Sequence, residues 1–149
     1  MSDGVTDLRH DLRVMGLVGS AHASSHFFHL ILPPLFPILK LDFDVSFAAL
    51  GLLPTLFYGA SGIAQTIAGF LVDRFGARRV LLLGLTLLSI SVIGYGFCFS
   101  FWGLMFFSIT AGLGNSVFHP ADLSILTNKI STKRLGKAYA IHAFSGNIG

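Results

Sequence analysis

Charge is scarce in this chain: Asp, Glu, Lys and Arg make up 11% of its 149 residues, against about 25% in an ordinary soluble domain. Hydrophobic residues fill 53% of it, and its mean hydropathy is +0.75. A water-soluble domain of this length is excluded, and a polytopic membrane protein is implied. Cysteine is nearly absent as well. Cys98 stands alone in an apolar run, so no disulfide framework exists and a small packed hydrophobe is expected there. The basic residues give a net charge of only +3 and sit between apolar segments rather than on an amphipathic face with interleaved aromatics, which argues against nucleic acid as a partner. No cleavable signal peptide is expected. Met1 to Arg13 is polar, and the apolar run after it is too long for an h-region and lacks a small-residue cleavage pattern.

What is present is a series of long apolar runs. Four reach the roughly 20 residues that a bilayer demands: Val14 to Leu39, Phe47 to Val72, Val80 to Phe99, and Phe101 to about Leu126. A partial fifth begins near Ala138 and runs to Gly149, too short to cross about 30 Å of hydrocarbon at about 1.5 Å per residue. The expected fold is all-α: a transmembrane helix bundle of four complete spans plus the start of a fifth, stopping in mid-helix. Lys and Arg then set the orientation. Arg9 and Arg13 precede the first span, Arg74, Arg78 and Arg79 follow the second, and Lys129, Lys133, Arg134 and Lys137 follow the fourth; only Lys40 lies on the other side. That asymmetry predicts a cytoplasmic N-terminus, with Asp42 and Asp44 facing outward.

Polar residues inside the spans recur at helical spacing. On the fourth, Ser108, Gly112, Asn115, His119 and Asp122 fall on one stripe, as do Thr55, Tyr58, Gly62, Gln65 and Gly69 on the second and Gly19, His22, His26 and His29 on the first. Such stripes avoid lipid, so these three helices are expected to enclose an aqueous cleft. The third span carries only hydroxyl residues, Thr86, Ser89, Ser91 and Tyr95, which can bond their own backbone, and is expected at the periphery.

Ionisable groups within a membrane are costly and point to function. His119 and Asp122 share a face, and two readings stand: a proton or substrate site built from a desolvated carboxylate and an imidazole, or an Asp122 near the cytoplasmic end that meets water or Lys129. His22, His26 and His29 share another face, suited to lining a cavity, relaying protons or bonding neighbouring helices; metal ligation rests there on spacing alone. Pro33, Pro34 and Pro37 mark either a hinge or the end of the first helix. Gly112, Gly114 and Ser116 make a small-residue patch that admits a close neighbour. Ser124, His119 and Asp122 on one helix cannot form the successive contacts of a catalytic triad, and no enzyme is expected. With His142 on the partial fifth span, the expected substrate and proton pathway comprises His22, His26, His29, Tyr58, Gln65, Asn115, His119, Asp122 and His142.

Between the second and third spans, Gly69-Phe-Leu-Val-Asp73-Arg74-Phe-Gly76-Ala-Arg78-Arg79 closely resembles the signature of the major facilitator superfamily, usually written G-x-L-a-D-r-x-G-r-k. In physical terms Gly69 is expected to permit close helix approach, Gly76 to supply a positive φ at the helix end, and the arginines to fix the side. The resemblance implies that Asp73 and Arg74 latch the cytoplasmic side against a helix of a second half. A narrower resemblance lies in Ala111-Gly-Leu-Gly114-Asn-Ser-Val-Phe118-His119-Pro120 and Phe144-Ser-Gly146-Asn147-Ile-Gly149, which look like the fosmidomycin-resistance branch, similar to drug exporters. Departures from these patterns are Ser108, where the superfamily often has arginine, Ala121, where the branch has an acidic residue after His-Pro, and His26, where it tends to show aspartate.

These resemblances imply the N-terminal part of a twelve-helix secondary transporter in a bacterial inner membrane, exporting small molecules by alternating access in exchange for protons, with its C-terminal half missing from these residues. No resident cofactor or metal is expected, and no transport by these residues without the missing helices. Two rivals remain: a small four-helix membrane protein holding haem or metal through His22, His26, His29 and His119, and an inert truncated product.

Overall fold

A computed structural model describes residues 8–149. Every regular element among them is helical: α1 (Leu8–His29), a 3₁₀ turn (Pro33–Leu35), α2 (Phe36–Asp42), α3 (Phe47–Leu50), α4 (Leu52–Phe75), α5 (Ala77–Tyr95), α6 (Phe101–Asn115), α7 (Phe118–Lys129), a second 3₁₀ turn (Thr132–Arg134) and α8 (Leu135–Gly146). Three stretches are long and apolar enough to cross a membrane, Phe47–Phe75, Ala77–Tyr95 and Phe101–Lys129. Met1 to Asp7, the start of the polar N-terminal stretch, lies outside the described residues.

The first span is not the unbroken Val14–Leu39 helix that hydropathy suggests. It starts earlier, at Leu8, stops at His29, and resumes after the 3₁₀ turn as α2. Pro33 and Pro34 lack an N–H to continue the ladder, so the α-helical bonding stops and the chain turns over Leu30–Leu32. The fourth span is also split. Pro120 cannot donate to Ser116, and α6 ends at Asn115 while Ser116 turns its hydroxyl onto the Leu113 carbonyl at 2.7 Å. The fifth helix begins at Leu135, three residues before the expected Ala138. Serine hydroxyls set two other starts: Ser46 accepts from Ala49 N at 3.1 Å at α3, and Ser100 accepts from Gly103 N at 3.3 Å at α6.

α6 lies between α4 and α5 and packs most extensively on both, while α1 lies along α7 and α8. Backbone proximity at these crossings comes from glycine. A Cβ at Gly114 would stand 2.7 Å from Leu88 N and 2.8 Å from the Gly84 carbonyl, and one at Gly112 would strike the Phe57 carbonyl. The small-residue patch of the fourth span is thus where two neighbours come closest. Around it Phe57, Leu88, Ala111, Val117, Phe118 and Ala121 form the main apolar cluster, and Met15, Val18, Leu126, Ile130 and Ala138 join α1, α7 and α8 in a second.

Facing outward are Ile63, Ile67 and Phe70 of α4, Leu83, Ile90 and Ile93 of α5, and Trp102 and Phe106 of α6. Apolar side chains on the outer surface with polar ones turned inward suit hydrocarbon as the solvent. α5 lends nothing to the cavity described below, but its span is more buried than Phe47–Phe75 because it packs on α6 and α7. Its Thr86 and Ser91 hydroxyls bond back to the Leu82 and Leu87 carbonyls at 2.8 Å, and Ser91 and Tyr95 also meet Thr110 and Ser108 of α6 at 2.9 and 3.2 Å.

Candidate functional site: a polar cavity between three spans

α1, α4 and the α6–α7 pair border an open cavity of about 420 Å³ lined by His26, His29, Leu30, Tyr58, Ser61, Gly62, Gln65, Asn115 and His119. Its volume falls in the range of about 300–1,000 Å³ typical of small-molecule sites. Asn115 is its hub. The side-chain oxygen accepts from His29 Nε2 at 2.7 Å and from Ser25 Oγ at 3.2 Å, and its Nδ2 donates to Ser61 Oγ at 2.9 Å, so one amide ties α6 to α1 and α4. The His29 ring also rests edge-on against Phe57 and Tyr58, with centroids 4.8 and 5.7 Å away.

The polar stripes meet here only in part. Tyr58, Gly62, Gln65, His26, His29, Asn115 and His119 line the cavity as expected. Ser108 instead turns to Tyr95, Gly112 packs on Phe57, and Thr55 bonds back to the Gly51 carbonyl at 2.8 Å. Gly19 seats against Ser145 and Ile141 of α8. Along the fourth span the stripe meets successive neighbours, Tyr95 at Ser108, Phe57 at Gly112 and the cavity at Asn115 and His119. Ser25 and Ser61 were missing from the sequence reading, although each is three residues from a residue named in it, His22 and Tyr58, and so shares its face.

Behind the cavity wall lies a second cluster. Asp122 is fully buried, and its Oδ2 stands 3.8 Å from His142 Nδ1 of α8. The alternative in which Asp122 reaches water or Lys129 is overturned by this burial; Lys129 is exposed at the end of α7. The His142 ring stacks on His22 of α1, centroids 3.8 Å apart, and the exposed His119 closes the group at 5.6 Å from His22. The haem or metal rival expected His22, His26, His29 and His119 to act together. Among the described residues His29 is engaged by Asn115, and His142 stands with His22 and His119 in its place.

The charged motif forms the corner from α4 to α5. Gly76 has φ 88° and donates to the Val72 carbonyl at 2.9 Å, the positive φ expected of it. Asp73, Arg74, Arg78 and Arg79 are exposed, and the Arg74 guanidinium lies 5.5 Å over the Phe75 ring. Gly69 is a correction: nothing lies within 4 Å of where its Cβ would be, so it serves no close approach among the described residues.

One constellation escaped sequence reading altogether. Asp11, fully buried, accepts from Arg134 Nε at 2.6 Å and from Ser131 Oγ at 2.8 Å, tying the start of α1 to the α7–α8 connection. Burial alone would raise this carboxyl, but the hydrogen bonds from Ser131 and Arg134 and the guanidinium charge outweigh it and hold the group below its ordinary 3.8. Charge and position along the chain mark Arg134 only as a topology signal. The available cue was an acid, Asp11, set between Arg9 and Arg13 at the start of the first span.

Comparison with known proteins agrees with this architecture. Residues 18–149 match the Major Facilitator Superfamily, and the chain belongs to that family. It is therefore a multi-pass membrane protein of a transporter family. It is 27% identical over 136 residues to the uncharacterized MFS-type transporter YfnC of Bacillus subtilis, covering 91% of this chain and 33% of that one. Over 144 residues it is 24% identical to the fosmidomycin resistance protein of Escherichia coli, covering 97% of this chain and 35% of the relative. A phosphoglycerate transporter protein of Salmonella typhimurium is 26% identical over 113 residues, 76% of this chain and 24% of its own length. The chain spans about a third of the length of the first two of these relatives. No solved structure matches.

Proposed function

We propose that these residues form the N-terminal part of a secondary transporter that exports small molecules in exchange for protons by alternating access. The observation that carries this reading is the 420 Å³ cavity between α1, α4 and α6–α7, whose polar lining is held by Asn115 inside an otherwise lipid-facing bundle. Substrate sites of this kind lie near the midplane between repeats. The similarity to a fosmidomycin resistance protein supports drug-like molecules as cargo and outward transport. Asp122 and His142, 3.8 Å apart behind the cavity, supply a carboxylate and an imidazole between which a proton can be held. Asp73 and Arg74, about 12 Å along α4 from Gln65, would close the cytoplasmic side against helices of the other half. The bilayer is a bacterial inner membrane, with the N-terminus and the α4–α5 corner in the cytoplasm.

The test uses inverted membrane vesicles carrying this chain together with the remainder of its fold. Fosmidomycin or another small drug should accumulate when a proton gradient is imposed, and Asp122→Asn should abolish that accumulation while leaving expression intact. Gradient-independent accumulation, or an Asp122→Asn variant that behaves as wild type, removes Asp122 from the mechanism. Vesicles holding residues 1–149 alone should transport nothing, because the match covers about a third of the relatives' fold.

A further inference from the structure

The histidine cluster behind the cavity has the makings of a metal site. His22 comes from α1, His119 from α7 and His142 from α8, and one ligand nitrogen from each falls within 4.8 Å of the other two. The rest of the argument comes from hydrogen bonding. His22 Nδ1 lies 2.9 Å from the His142 backbone carbonyl, which can only accept, so Nδ1 carries the proton and Nε2 presents a lone pair. That Nε2 is buried and has no hydrogen-bond partner. Also buried and without partner are His142 Nδ1 and both carboxylate oxygens of Asp122. His22 Nε2 thus presents an electron pair, between α1, α7 and α8, that no protein group satisfies. Unpaired buried polar groups are expensive and call for an explanation.

We propose that His22, His119 and His142 bind a single divalent transition-metal ion. Imidazole ligands suit zinc, cobalt, nickel or copper and disfavour calcium and magnesium. The His22 Nδ1 bond to a backbone carbonyl is the outer-shell contact that fixes the tautomer and orientation of a ligating histidine. Space for the rings depends on Gly146 of α8: a Cβ there would come within 2.9 Å of the His22 ring and 3.0 Å of His26 Nε2. The ion enters from the cavity, because His119 lines it and is exposed. A tetrahedral site with ligands at about 2.0–2.1 Å has donors about 3.4 Å apart, so closure asks the rings to draw in by about an ångström. His26 and His29 stay on the cavity side and outside the set.

Binding is measured on the purified detergent-solubilised protein after chelator treatment, independently of any transport, so failure here leaves the transport reading untouched. Zn²⁺ added to the stripped protein should bind at one equivalent, and Co²⁺ should give visible absorption bands that Zn²⁺ bleaches. His119→Ala should weaken Zn²⁺ affinity about tenfold or more without unfolding the chain, since its side chain is exposed; His22→Ala should do the same. His10→Ala, on the exposed start of α1 about 18 Å away, should bind as wild type. No saturable binding, wild-type affinity in His119→Ala, or loss of binding in His10→Ala overturns the site.

Discussion

Replacing Asn115 with alanine removes three hydrogen bonds at once, those to His29, Ser25 and Ser61 at 2.7, 3.2 and 2.9 Å. Interhelical hydrogen bonds in membrane proteins contribute about 0.6 kcal/mol each, so the set sums to about 2 kcal/mol, and to about 4.5 kcal/mol at the strong end of about 1.5 each. Ser61→Ala breaks one of the three and should cost about a third as much. The assay is denaturant or thermal unfolding in detergent, followed by a cysteine or tryptophan signal, with Ser124→Ala outside the network as the control. Because the three bonds share one amide, Asn115→Ala combined with Ser61→Ala should cost no more than Asn115→Ala alone. An Asn115→Ala variant as stable as wild type, or full additivity in the double variant, refutes the hub.

Gly114→Ala should force α5 and α6 apart, because its Cβ meets Leu88 and Gly84 backbone that cannot turn aside; about 1–3 kcal/mol of destabilisation is expected in the same assay. Gly136→Ala, with nothing within 4 Å, should be neutral or stabilising. Asp11→Asn should loosen the α7–α8 connection and make it a site of faster proteolysis. The Asp11 carboxyl is depressed in the folded protein, so its contribution is complete at pH above 3.8 and disappears as pH falls through the lower folded value. The wild-type connection should resist protease throughout the neutral range and yield only in strong acid, whereas Asp11→Asn should be sensitive at every pH.

Most of the architecture was readable because lipid imposes simple rules. Length and hydropathy located the three stretches able to cross a membrane, and helical spacing identified all of the cavity lining except Leu30 and Ser61. Proline-induced breaks were harder to read. Hydropathy averages run straight across Pro33 and Pro34, and across Pro120, beside the break that ends α6 at Asn115 and leaves His119 and Asp122 on a separate helix, α7. Pairings between distant segments left no periodic trace: Asp11 with Arg134 and Asp122 with His142 depend on how α1, α7 and α8 dock, which spacing along any one helix does not encode. Gly69 shows the opposite case, a motif residue with no physical role visible within these residues.

The aqueous cleft itself is best tested by cysteine accessibility in intact membranes, in a Cys98→Ala background. Gly62→Cys and Gln65→Cys, on the cavity wall, should react readily with a small hydrophilic maleimide, because a thiol must meet water to ionise. Ile63→Cys, 77% exposed in the chain but turned to lipid, should stay unreacted. Inert thiols at 62 and 65 with a reactive one at 63 would mean that α4 faces water with its other side, and the cavity would not be a substrate site.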